Sequence, residues 1–129
     1  MTGCAVLVVD DEPGMRETLM AILELNGYRA SSAPDGETAV TRVRETAFDV
    51  VVMDIRMPGA DGVSVLEAMG DPPPQVILMT AYAQEARLRA AAQANAFAIV
   101  HKPFDTHWML KLIADASPAV KSVSQVVVQ

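Results

Sequence analysis

Asp10, Asp11, Asp54, Thr80 and Lys102 are the residues of this chain whose types and spacing could do chemistry. Each follows a short apolar run: Ala5 to Val9 leads into Asp10, Asp11 and Glu12, Val50 to Met53 into Asp54, Val76 to Met79 into Thr80, and Ala98 to Val100 into His101, Lys102 and Pro103. If those runs are strands of an open α/β sheet, their carboxyl ends are where function collects. Three carboxylates, a hydroxyl and an ammonium would then face one another. Carboxylates so grouped repel and raise one another's pKa unless a cation joins them. Hard oxygen ligands on a loop, with room for water, suit Mg²⁺ rather than a soft metal. With Mg²⁺ on one side and Lys102 on the other, the site offers positive charge to a phosphoryl group and leaves one carboxylate free as a nucleophile. Thr80 can donate a hydrogen bond to a phosphoryl oxygen. The set reads as a metal-assisted phosphoryl acceptor.

Five apolar segments alternating with five segments of helical period are what must position these groups, and that is the pattern of an α/β fold with a parallel sheet. Pro13 suits a first helical position, and Met15, Leu19, Ile22 and Leu23 recur at helical spacing until Asn26 and Gly27 stop the helix. The segment Arg29 to Ala33 is polar and is expected at an edge. Asp35 can cap a second helix with Ala39, Val40, Val43 and Ala47 inward. Asp61 and Gly62 lead into a short helix with Val63, Leu66 and Met69, and Pro72 to Pro74 break the chain before the fourth strand. An alanine-rich helix carries Leu88, Ala91, Ala92 and Asn95. Asp105 can cap the last helix, with Met109, Leu112, Ile113 and Ala116 inward.

Four stretches in this order resemble the receiver domain of bacterial two-component response regulators: Val8-Val9-Asp10-Asp11-Glu12, Met53-Asp54-Ile55-Arg56-Met57-Pro58-Gly59-Ala60-Asp61-Gly62, Met79-Thr80-Ala81-Tyr82 and Lys102-Pro103-Phe104-Asp105. The turn Ala33 to Glu37 is similar too, and the motif text looks most like receivers of nitrogen-regulator type and of sporulation phosphorelays. The resemblance implies a flavodoxin-like, doubly wound (βα)5 domain with a five-stranded parallel sheet in the order 2-1-3-4-5. It implies that Asp54 accepts a phosphoryl group from a histidine kinase or phosphotransfer protein. It further implies that Asp10, Asp11, Asp54 and the backbone carbonyl of Arg56 hold Mg²⁺, that Lys102 pairs with the phosphoryl oxygens, and that the Lys102–Pro103 bond is cis. Thr80 would carry the signal into the following loop and onto the face of the fourth helix, fifth strand and fifth helix. Receivers usually have Tyr or Phe three residues before the lysine. Here that switch position is Ile99, and Phe97, two residues earlier, is no obvious substitute.

The 129 residues allow one compact unit, expected over 1–116, with 117–129 as a C-terminal tail or linker. Charged residues, 20% of the chain, interrupt the apolar runs long before a membrane span. Ten Lys and Arg against 16 Asp and Glu leave a net charge of -6, which argues against direct nucleic-acid or membrane binding. A single cysteine and no signal-type start fit a cytoplasmic home. The partner beyond the phosphodonor would be a downstream effector or a fused output domain. Blander readings exist: Asp10 and Asp11 as helix caps, Thr80 as a turn residue, His101 and His107 as solvent-facing, and Trp108 as either packed or a partner anchor. An aspartate-nucleophile phosphatase would need a second acid where Arg56 stands. A nucleotide- or flavin-binding module would need a glycine-rich loop where three acids stand. A phosphorylation-independent interaction module would have no use for the full acid, threonine and lysine set.

Overall fold

The computed structural model describes residues 3–57, 60–70, 72–81 and 96–118. Strands β1 (Ala5–Val9) and β3 (Val50–Asp54) are valine-rich and buried along almost their whole length, so they need cover on both faces. The crossovers of a parallel sheet supply it by laying helices on the two faces: β1 lies between β2 (Arg29–Ala33) and β3, and β3 pairs with β6 (Gln75–Thr80), which pairs with β7 (Ala98–His101). The order β2-β1-β3-β6-β7 is 2-1-3-4-5 when only the strands of this sheet are counted. The polar β2 is at the edge, as its composition requires. In the stretch read from sequence as a loop, two-residue strands β4 (Arg56–Met57) and β5 (Ala60–Asp61) pair antiparallel with each other.

Helix α1 (Pro13–Leu25) begins on proline and gives way to Gly27 at φ 88, a left-handed position that favours glycine. It buries Leu19 and Leu23 against Val6, Val8, Val50, Val52, Ile77 and Met79. Helix α4 (Thr106–Ala116) adds Met109, Ile113 and Ala116 to the same layer. Helices α2 (Gly36–Glu45) and α3 (Gly62–Glu67) belong to the opposite layer, where Ala39, Val65 and Leu66 join Leu7, Val9, Val51, Met53 and Leu78. Burying a leucine fully contributes roughly 1.5–3 kcal/mol, so α1 is held mainly by its two buried leucines rather than by its ends. Indeed its N-cap, Glu12, makes no side-chain cap bond.

Among the described residues, one expected core position fails. Helix α2 ends at Glu45, and Thr46 is already extended at φ -137, so the helical period that would have turned Ala47 inward stops short. Ala47 is exposed and Phe48 packs against the core instead. The helix expected around Leu88 to Asn95 lies outside the described residues, as does the expected 117–129 tail beyond Ser117, the buried C-cap of α4, and Pro118. Among the described residues no helix is long and apolar enough to cross a membrane.

Asp35 caps α2 as its position suggests, its Oδ1 accepting from the Thr38 amide at 2.7 Å. The Thr38 backbone and hydroxyl hold the Asp35 carboxyl below the usual carboxylate range. A lowered carboxyl adds stability above its unfolded pKa and loses it as pH falls through the folded value. Asp35→Ala should therefore cost about 1 kcal/mol at neutral pH. Denaturant melts should show that gap closing only in acid, and a gap unchanged there would contradict the assignment of the cap.

Candidate functional site

The ends of β1, β3, β6 and β7 emerge side by side, and each delivers one of the expected groups. Asp10 follows β1 and is fully buried, Asp54 closes β3 partly buried, and Asp11 is exposed. One carboxylate oxygen from each of the three lies within 4.8 Å of the others. Lys102 follows β7, beyond His101. Its stem passes the end of β6, and its Nζ donates to Asp54 Oδ2 at 2.6 Å and to Asp10 Oδ2 at 3.0 Å. The Lys102–Pro103 bond is cis. Burial pushes the Lys102 ammonium down, but the bonds it donates to Asp54 and Asp10 outweigh this and leave it above the ordinary lysine value. The ammonium therefore stays charged through the neutral range, and the tie it makes loosens only as pH rises through that raised value.

The other carboxylate oxygens are held by backbone. The Glu12 amide donates to Asp10 Oδ1 and the Arg56 amide to Asp54 Oδ1, each at 2.9 Å. Asp10 thus spends its oxygens on the loop and on Lys102, and it does not cap α1 as the blander reading had it. Thr80 is buried at the end of β6, and its carbonyl accepts the Lys102 amide at 2.7 Å. Ile99 is half-buried on β7 opposite Leu78 and packs with the α2 and α3 layer. Phe97 precedes the strand and packs in the other layer, so its ring does not stand in for the aromatic that Ile99 replaces. His101 and His107 are exposed, and Trp108 is 49% exposed on α4. A groove of about 200 Å³ lined by Met15, Thr18, Leu19, Ile22, Pro103 and Phe104 runs between α1 and the segment after Lys102. A larger hollow of about 480 Å³, with Phe48, Met69 and Pro72 to Pro74 in its wall, is at the opposite end of the strands and shares none of these groups.

Gly62 is a residue that reading for charged groups passed over. A Cβ at this position would meet Ile55 Cα at 2.9 Å and Asp54 O at 3.0 Å, and the Gly62 amide donates to Ile55 O at 2.7 Å. The start of α3 can lie against the end of β3 only because no side chain intervenes. The pair Asp61-Gly62 after a strand-end acid was the available signal.

These features define a receiver-type fold with an acidic pocket tied by one lysine. The model of the response regulator receiver domain family matches residues 6–114, and the chain belongs to that family. The regulatory protein AtoC of Escherichia coli is 41% identical over 102 residues, 78% of this chain and 22% of AtoC. Sporulation initiation phosphotransferase F of Bacillus subtilis is 33% identical over 102 residues, 78% of this chain and 82% of that protein. The crystal structure of FixJ-N superposes with a TM-score of 0.82 at 28% identity, over 90% of this chain and 94% of FixJ-N. The chain thus spans about a fifth of AtoC but most of the sporulation protein. The family is a phosphoacceptor switch rather than an enzyme of the ordinary kind, which removes the phosphatase and nucleotide-binding alternatives.

Gly62→Ala should lower stability by about 1–3 kcal/mol, because backbone rather than a flexible side chain must give way. Its amide spectrum should change at Asp54 and Ile55. A melting curve and spectrum matching the wild type would show that the close approach is not needed.

Proposed function

We propose that Asp54 accepts a phosphoryl group with Mg²⁺ held at Asp10, Asp11, Asp54 and the Arg56 carbonyl, and that the chain itself promotes both gain and loss of that group. The observation that carries this is the Lys102 ammonium bridging Asp54 and Asp10 beside the exposed Asp11. The donor set fits the ion: three hard carboxylates of mutual reach, one open to solvent, with no soft ligand among them. When bound, Mg²⁺ supplies positive charge to the phosphoryl oxygens. The chain's own residues do the rest. An Asp54 carboxylate oxygen forms the new bond to phosphorus, and the bond to the donor breaks with its electron pair going to the leaving group. Lys102 gives up Asp54 Oδ2 and follows the charge onto the phosphoryl oxygens, still tied to Asp10. Thr80, at the neighbouring strand end, donates its hydroxyl to a phosphoryl oxygen and draws the loop after β6 with it. Ile99 is β-branched and restricted at χ1, so it has no ring to swing and keeps its rotamer.

Acetyl phosphate with Mg²⁺ should add one phosphoryl group to the wild type by intact mass. Asp54→Asn, Asp11→Ala and the wild type in chelator should gain none. Labelling of Asp54→Asn would overturn the assignment, and rotamer exchange of the Ile99 methyls in the phosphorylated sample would overturn its passive role.

The macromolecular donor, by this reading a histidine kinase or phosphotransfer protein, seats an apolar helix face in the groove between α1 and Phe104, which borders Lys102. Output passes to an effector or a fused domain in the cytoplasm. Thr18 is exposed on the groove's rim, so Thr18→Arg can block the groove without disturbing the core. Phosphotransfer from a phosphorylated histidine-containing donor should fall at least about tenfold, equivalent to 1.4 kcal/mol, while labelling by acetyl phosphate is unchanged. Equal loss with both donors would place the effect in the site and not the groove.

A further inference from the structure

The Asp10 residue is fixed at every polar atom. Its amide donates to Ala33 O at 3.3 Å, Oδ1 accepts from Glu12, and Oδ2 accepts from Lys102. The fourth tie comes from a residue not yet given a role. Arg16, half-buried in the first turn of α1, donates from Nη1 to the Asp10 carbonyl at 2.7 Å, while its amide donates to Glu12 O at 3.1 Å. The guanidinium and the helix start therefore grip the same loop from one side.

We infer that Arg16 is a positioning residue that aims the Asp11 carboxylate by holding the peptide plane between Asp10 and Asp11. This rests on the reading of Asp10, Asp11 and Asp54 as a cation site. The peptide unit is planar, so fixing the Asp10 carbonyl oxygen also fixes the Asp11 nitrogen and Cα. Asp11 is exposed, and among the described residues no side chain grips its carboxylate. The backbone is what carries its direction, and Arg16 is the tie on the carbonyl of the peptide plane that leads into it. Outer partners of this kind orient ligands and commonly change metal affinity by roughly 10–100-fold when removed.

The sign of the effect separates this role from a plain electrostatic one. A guanidinium on the loop that carries Asp10 and Asp11 repels an incoming cation, so if Arg16 acted only as a charge, its removal would tighten Mg²⁺ binding. If it positions Asp11, removal loosens binding despite that gain. Calorimetric titration of Mg²⁺ alone into the unphosphorylated full chain gives the reading. Arg16→Met keeps the apolar stem and loses the guanidinium, and Arg16→Ala is the second variant should the first melt early in chelator. In whichever variant keeps its fold, we expect Kd to rise about tenfold. Partial recovery in Arg16→Lys, which keeps the charge and a donating ammonium, would support the same role. A Kd equal to or below that of the wild type overturns the inference. Failure of the wild type itself to bind Mg²⁺ overturns the reading of the site, and this inference with it.

Discussion

Lys102 closes the arrangement on which this protein depends. Parallel pairing of β1 with β3 brings Asp10 and Asp54 to adjacent strand ends, and burial of Asp10 removes the water that would otherwise screen their repulsion. A buried carboxylate without a partner is costly, and paired charges break even only with good geometry and satisfied hydrogen bonds. Both conditions are met. The ammonium reaches each carboxylate on one oxygen, and backbone amides take the other. The stability of the strand ends and the charge balance of the candidate site thus meet in one side chain.

That coupling requires a rigid frame, and the backbone provides it by extending the sheet's hydrogen bonding past the strand ends. Ile55 donates to Met79 O and Lys102 to Thr80 O, so the residues after β3 and β7 remain tied to β6. Gly62 lets α3 settle on Asp54 and Ile55 from the side. The valine-rich strands are packed from both layers, and such interiors shift in discrete steps rather than by continuous deformation. On the reading proposed above, a change of charge at Asp54 would therefore be met by a stepwise rearrangement rather than by a gradual one.

The two ends of the sheet differ in kind. The carboxyl ends hold all the charged groups of the site and border a narrow apolar groove, whereas the wider hollow at the other end is walled by prolines and apolar side chains together with Arg44 and Asp49. Cavity size alone points away from the acidic cluster. Convergence of titratable groups is the better guide, because chemistry needs opposed charges within reach and volume supplies none.

The sequence by itself determined most of the elements and named the groups that converge in the candidate site. Runs such as Ala5 to Val9 are too apolar to be anything but doubly covered strands, Asp35 and Asp105 are placed as caps, and acids at strand ends have few structural uses. Short-range pattern settles such matters because helix period, strand burial and capping act over a few residues. Only the tertiary structure decided that Ala47 faces water, since the end of α2 depends on how Phe48 finds the core. Only it decided that Phe97 and Ile99 serve opposite layers, that a glycine is needed at position 62, and that Arg16 reaches back to the Asp10 carbonyl. Each of those rests on a contact between segments distant in sequence or on a backbone direction, and neither is written in residue type.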